Sequence, residues 1–149
     1  MRPCDVMVVL IVEDEAIIAY CCAATLEDAG HVILGPAHSA AEALALARKR
    51  RPEVALIDID LEIPGAGIGL AQQLRTHYGT AIVFATGRRD AVLDHSNVAV
   101  AVLTKPYDPA DLPGVVGLAG AAVRGGSART TPSRVANFSG VPAHNGSGA

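Results

Sequence analysis

The sequence predicts an α/β fold, a parallel sheet with helices on both faces. Two observations carry this. Short, continuous, β-branched runs recur five times, and between them lie stretches with helical spacing and helix caps. A strand that is apolar on both sides belongs in a sheet covered on both sides. Repeated strand–helix–strand units of this kind join through right-handed crossovers.

The elements follow in order. Residues 6–12 (VMVVLIV) make the first strand, and 15–28 a helix that Gly30 stops. Residues 31–35 (HVILG) are a weaker second strand, closed by Pro36. Ser39 is an N-cap, and Glu42, three residues on, completes a capping box. The helix that follows ends before Pro52, with Arg48, Lys49 and Arg50 suited to its negative C-terminal end. Residues 54–57 (VALI) are the third strand, running directly into Asp58. A Gly/Pro-rich loop precedes a third helix over 68–77. Residues 81–85 (AIVFA) are the fourth strand, and Thr86-Gly87 turns out of it. A short fourth helix or an irregular segment occupies 88–94, and 98–103 (VAVAVL) is the fifth strand. The fifth helix, 108–124, is weakened by Pro113, Gly114, Gly117 and Gly120. Residues 125–149 hold almost nothing to bury and are expected to form a disordered tail after a single domain over 1–124.

Composition removes several function classes. The chain has 149 residues, enough for one domain with a real core. Half of it is hydrophobic but only 3% is aromatic, so the core must be Val, Ile, Leu and Ala. The net charge of −3 argues against a general nucleic-acid binder, which carries a basic face. Cys4, Cys21 and Cys22 fit neither a disulfide framework nor a zinc site. Acidic residues crowd the first apolar run, against a signal peptide, and no run is long enough for a membrane span. A cytoplasmic protein is expected. The Asn-X-Ser matches at Asn137 and Asn145 then carry no meaning.

The polar residues gain meaning on this scaffold. Ligands of open parallel sheets bind at the carboxyl ends of the strands. Glu13 and Asp14 follow the first strand, Asp58 ends the third, Thr86 ends the fourth, and Lys105 follows the fifth. A single acid at a strand end is commonly a helix cap. Five polar side chains from four segments converging on one edge are a site. Several carboxylates together need a cation, and hard oxygen donors suit Mg²⁺. An Asp beside Mg²⁺ can take a phosphoryl group as an aspartyl phosphate. Lys105 would offer a point charge to phosphoryl oxygens, and Thr86 a hydroxyl.

Four motifs in order, "IVEDE" (11–15), "ALIDIDL" (55–61), "IVFATG" (82–87) and "LTKPYD" (103–108), resemble the receiver domain of two-component response regulators, the CheY-like family. The resemblance covers about residues 6–124. It implies a flavodoxin-like (βα)5 sandwich with a five-stranded parallel sheet in the order 2-1-3-4-5. It further implies that Asp58 is the phosphoacceptor. Glu13 and Asp14 would hold Mg²⁺, and Asp60 would give the metal its backbone carbonyl. Thr86 and Lys105 would bind the phosphoryl group, and Glu62 would be solvated loop. The expected phosphoryl donor is a histidine kinase or a histidine phosphotransfer protein. No output domain is expected after Arg124. Output then lies either in protein contacts or in a phosphate-sink role. The fifth helix is apolar nearly all round, which suits a partner or homodimer face as well as a weak helix packed on the sheet.

An enzyme reading competes. "LIDIDL" also fits the DxD motif of haloacid-dehalogenase-like phosphatases, with Asp58 as nucleophile and Asp60 as general acid/base. Their nucleophile strand comes first and a second acidic pair last. Here Glu13-Asp14 precedes Asp58, and no inserted cap domain encloses a substrate. The receiver pattern has its own departures. Val102 stands where many receivers carry an aromatic that rotates with the Thr, so that switch cannot operate in that form. "FATG" is similar to a subset of stand-alone receivers, but Arg88 and Arg89 follow the Gly where that subset often has an aromatic. Pro64 is late in the loop, and Gly67 is displaced by about one residue. Ordering of the segment 87–98 is the expected output, against the plainer reading of Arg88 and Arg89 as a solvated helix start.

Overall fold

The computed structural model describes residues 6–88, 97–124 and 136–137. Strands β1 (Val8–Val12), β2 (Val32–Ala37), β3 (Val54–Asp58), β4 (Ala81–Thr86) and β5 (Ala99–Thr104) form one parallel sheet. Their order is 2-1-3-4-5. The helices are α1 (Ala16–Asp28), α2 (Ala40–Lys49), α3 (Ala66–Tyr78) and α4 (Leu112–Arg124). This is the expected flavodoxin-like arrangement.

Strand side chains alternate between faces, and two core clusters result. Leu10, Val12, Ala55, Ile57 and Phe84 pack with Ala43, Leu70 and Leu74 of α2 and α3. Val9, Ile11, Val54 and Leu56 pack with Cys22, Leu26, Leu112 and Val115 of α1 and α4. Strands β3 and β4 are buried at every position, which is why they read as continuous apolar runs. Val102 sits in the first cluster, in register with Phe84.

Several elements differ from expectation in instructive ways. The second strand does not stop at Pro36 but continues to Ala37. It is the edge strand, where a residue without an N–H is tolerated. Gly35 there has φ +98, and a Cβ would lie 3.1 Å from the Ile11 carbonyl oxygen. The capping box is shifted by one residue. Ser39 Oγ accepts from Glu42 N as expected, at 3.1 Å, but the Glu42 carboxylate accepts from His38 N at 2.6 Å. α3 begins two residues early, after Gly65 in the left-handed region. A 3-10 turn, Pro109–Asp111, capped by Asp108, precedes α4. α4 is buried along one face, with Leu118 exposed on the other.

The expected helix at 88–94 lies, apart from Arg88, outside the described residues. Of 125–149, expected to be a structureless tail, the described pair Ala136–Asn137 forms a short strand, β6, parallel to β5. The rest of 125–149 lies outside the described residues. Without β6, β5 would present a row of unpaired backbone groups, and backbone pairing needs no apolar side chains. No described helix is long and apolar enough to cross a membrane.

Candidate functional site

The sheet's carboxyl edge brings the acidic residues together. Backbone register aligns the strand ends: Val12 lies beside Ile57, Asp58 beside Ala85, and Thr86 beside Thr104. The Lys105 N–H donates to the Thr86 carbonyl at 2.8 Å, which extends the β4–β5 ladder into the site. The ligand oxygens of Glu13, Asp14 and Asp58 lie within 4.8 Å of one another. Glu13 and Asp58 are buried, and Asp14 is exposed.

Lys105 holds this cluster together. Its Nζ donates to Glu13 Oε1 at 2.9 Å and to Asp58 Oδ2 at 3.3 Å, and lies 4.0 Å from Glu15. Burial alone would lower its pKa, but the Glu13 and Asp58 carboxylates override that and hold it above the ordinary value. Burial pushes the Glu13 carboxyl up, against the pull of Lys105 and the Glu15 backbone N–H. The second oxygen of Asp58 accepts from Asp60 N at 3.0 Å, so both carboxylate oxygens of Asp58 are fixed in place.

Asp60 is half-buried, and its carboxylate is already engaged. It accepts from Gly65 N at 3.0 Å and takes both Nε and a terminal nitrogen of Arg88, at 3.1 and 2.6 Å. Arg88 holds its carboxyl below the usual range. The expected metal donor of Asp60 is its backbone carbonyl rather than this carboxylate. Thr86 is fully buried. Its hydroxyl accepts from Arg88 N at 2.9 Å and donates to Arg88 O at 3.3 Å.

Three contributors were not legible as site residues. Glu62, read as solvated loop, is exposed but connected. Its N–H donates to Asp14 Oδ2 at 3.2 Å, and its carboxylate accepts from Ala40 N at the start of α2 at 3.3 Å. Its φ of 63 is unusual for a side-chain-bearing residue. Arg88 reaches Asp60, a contact 28 residues apart that no local pattern encodes. Gly67 donates its N–H to Ile59 O at 2.8 Å, and a Cβ there would collide with the Asp58 carbonyl. Its one-residue displacement was the available signal.

The donors suit a hard divalent cation: clustered carboxylates, open to solvent through Asp14. Fold and site together define a flavodoxin-like domain with an acidic, lysine-bridged cluster at the carboxyl edge of its sheet. The family model for the response regulator receiver domain matches residues 9–116, and the chain belongs to that family. It is similar to the phyllosphere-induced regulator PhyR of Methylorubrum extorquens, 31% identical over 72% of this chain and 41% of the relative. It is also similar to the transcriptional regulatory protein PdtaR of Mycobacterium tuberculosis, 34% identical over 70% of this chain and 52% of the relative. The chain thus spans about half the length, or less, of these curated relatives. A solved CheY-like receiver domain protein from Methanospirillum hungatei superposes with a TM-score of 0.66 at 27% identity, over 74% of this chain and 90% of that one. Membership places the chain among signalling proteins of two-component systems and not among the haloacid-dehalogenase-like phosphatases.

Proposed function

We propose that the domain accepts a phosphoryl group on Asp58 from the phosphohistidine of a histidine kinase or a histidine phosphotransfer protein, in the cytoplasm. The observation that supports it best is the pairing of Asp58 with Lys105 beside Glu13 and Asp14 at the strand ends. A carboxylate oxygen of Asp58 attacks phosphorus, the P–O bond forms, and the P–N bond to the imidazole breaks. Lys105, already on Asp58 Oδ2, is placed to follow charge onto a phosphoryl oxygen. The Asp60 N–H orients the other oxygen of Asp58. Glu13, Asp14, Asp58 and the Asp60 carbonyl would hold Mg²⁺, which when bound neutralises phosphoryl charge. The Thr86 hydroxyl would bind the phosphoryl group after leaving Arg88. Output would pass through contacts with a protein partner or a second copy of the chain, or end in a phosphate sink.

The test is intact-protein mass spectrometry after incubation with Mg²⁺ and acetyl phosphate, and with a phosphorylated kinase. One phosphoryl adduct on the wild type and none on Asp58→Ala is expected. An adduct that persists on Asp58→Ala would refute the assignment.

A further inference from the structure

We propose that Arg88 is a positioning residue: its guanidinium clasps Asp60 in the resting site, keeps the Thr86 hydroxyl on Arg88's own backbone, and lets go when an anion is seated on Asp58. The inference rests on the phosphoacceptor reading above. It starts from the two roles of one residue. The backbone of Arg88 bonds the Thr86 hydroxyl at both N–H and carbonyl. Its side chain reaches across to Asp60, two residues beyond Asp58, with two nitrogens on two oxygens. Asp60 is itself tied to Gly65 N, ahead of α3. The side chain therefore fixes where the backbone of residue 88 lies, and the backbone fixes where the Thr86 hydroxyl points.

Seating a phosphoryl group requires Thr86 to turn. Thr86 is fully buried, and its one hydroxyl proton is donated to the Arg88 carbonyl, so it cannot donate to a new anion without giving that bond up. An anion beside Asp60 also competes with that carboxylate for the guanidinium. The clasp is weak enough to release. Its side chains are 50% and 31% exposed, and an exposed pair of this kind shifts an equilibrium by about two- to fivefold. Val102 provides no ring to follow the movement of Thr86, so an ionic clasp supplies a coupling that the core does not.

The test is a double-mutant cycle on the affinity for beryllofluoride with Mg²⁺, a stable mimic of the phosphoryl group, using wild type, Arg88→Ala, Asp60→Asn and the double variant. Each single change also alters the charge near the site. The cycle cancels that and leaves the pair itself. If the clasp exists only at rest, the product of the wild-type and double-variant dissociation constants exceeds the product of the two single-variant constants about two- to fivefold. Arg88→Lys, which keeps the charge but not the planar fork, should retain part of the coupling. The excess should shrink toward unity at high salt. A ratio of one, or below one, at low salt overturns the clasp while leaving the phosphoacceptor reading intact. Wild-type protein that takes up no beryllofluoride overturns both.

Discussion

Gly67→Ala puts the geometry of the acceptor strand to the hardest test. A helical glycine changed to alanine ordinarily stabilises, by about 0.5–1 kcal/mol. At this position the sign should reverse. Gly67 lies in the first turn of α3, where the helix presses on the end of β3. An added Cβ would overlap the Asp58 carbonyl oxygen and lie 2.9 Å from Ile59 Cα and 3.0 Å from the Asp58 carbonyl carbon. Unstrained carbon contacts need about 3.5–4.0 Å, so the helix start or the strand end must retreat by roughly 0.5–1 Å. No flexible side chain is present to absorb this, since each opposing atom is backbone. Overpacking of this kind costs about 1–3 kcal/mol, and the Gly67 N–H to Ile59 carbonyl bond, worth about 1 kcal/mol, is strained or lost with it. The expected loss is about 2–4 kcal/mol by urea unfolding. The phosphorylation rate with acetyl phosphate should fall as well, because a displacement near 1 Å at the reacting group can cost about 100-fold. Gly69→Ala is the control on the same helix. Its Cβ would meet nothing within 4 Å, so it should stabilise the protein and leave phosphorylation unchanged. If Gly67→Ala unfolds at the same urea concentration as Gly69→Ala and is phosphorylated at the wild-type rate, the close-approach argument is wrong.

Three further outcomes are expected. Lys105→Met leaves Glu13 and Asp58 without the cation between them, so the variant should lose about 1–3 kcal/mol of stability without metal. It should also gain more in thermal midpoint from Mg²⁺ than the wild type does; an equal gain would contradict the placement of Lys105. At the opposite end of the sheet, Glu53 accepts from Val8 N and pairs with Arg124, which also donates to the Val6 carbonyl. Glu53→Ala should cost about 1–2 kcal/mol, since the pair is partly exposed, and should leave phosphorylation at the wild-type rate. Buried His31 accepts the Met7 N–H on Nδ1 at 3.1 Å, and burial lowers its pKa from the ordinary 6.5. The fold therefore favours the neutral ring. That contribution is complete above the unfolded-state value near 6.5 and declines as pH falls from there through the lowered folded-state value. Unfolding midpoints at pH 7.5 and 5.5 should differ more for the wild type than for His31→Asn, and parallel shifts would refute the assignment.

What the sequence showed, and what it hid, follows the range of the interactions involved. β3 and β4 are buried at every position, so burial wrote itself into consecutive residues that any window can read. Glu13, Asp58, Thr86 and Lys105 were legible because each sits at a strand end, and parallel strands bring their carboxyl ends to one edge. Pro36 was misread as a stop because a proline's effect depends on whether the strand is an edge, which only the topology decides. The shifted capping box depends on which backbone N–H faces Glu42, His38 rather than Ser39, which a residue pattern does not encode. Glu62 was beyond it, and Gly67 showed only as a displaced glycine, because their roles are backbone approaches across 48 residues to Asp14 and 9 to Asp58.

The arrangement of charge explains why a domain tolerates such a site. Burying Glu13 and Asp58 together is costly, and the rise in the Glu13 pKa is a direct sign of that cost. The chain places two cations at this edge, one on the Glu13–Asp58 pair and one on Asp60 alone. Lys105 lies inside, between Glu13 and Asp58, where low exposure strengthens the attraction. Arg88 lies outside, on Asp60, where solvent weakens it. A phosphoryl group on Asp58 would add negative charge in reach of both. Lys105 can follow it with no change of neighbours, since its Nζ is already on the accepting carboxylate. Arg88, with two nitrogens on Asp60 and its backbone on the Thr86 hydroxyl, would follow it by loosening that clasp. On the proposed reading, the inner cation would serve the chemistry, and the outer one is the component whose movement would report it. That division makes a further prediction: added salt should alter the response of the loop after β4 far more than it alters the phosphorylation rate of Asp58. Amide exchange at Gly87 and Arg88, with and without beryllofluoride at low and high salt, measures the first quantity, and acetyl phosphate kinetics measure the second. Equal salt sensitivity in both would mean that the two cations do not divide the work in this way.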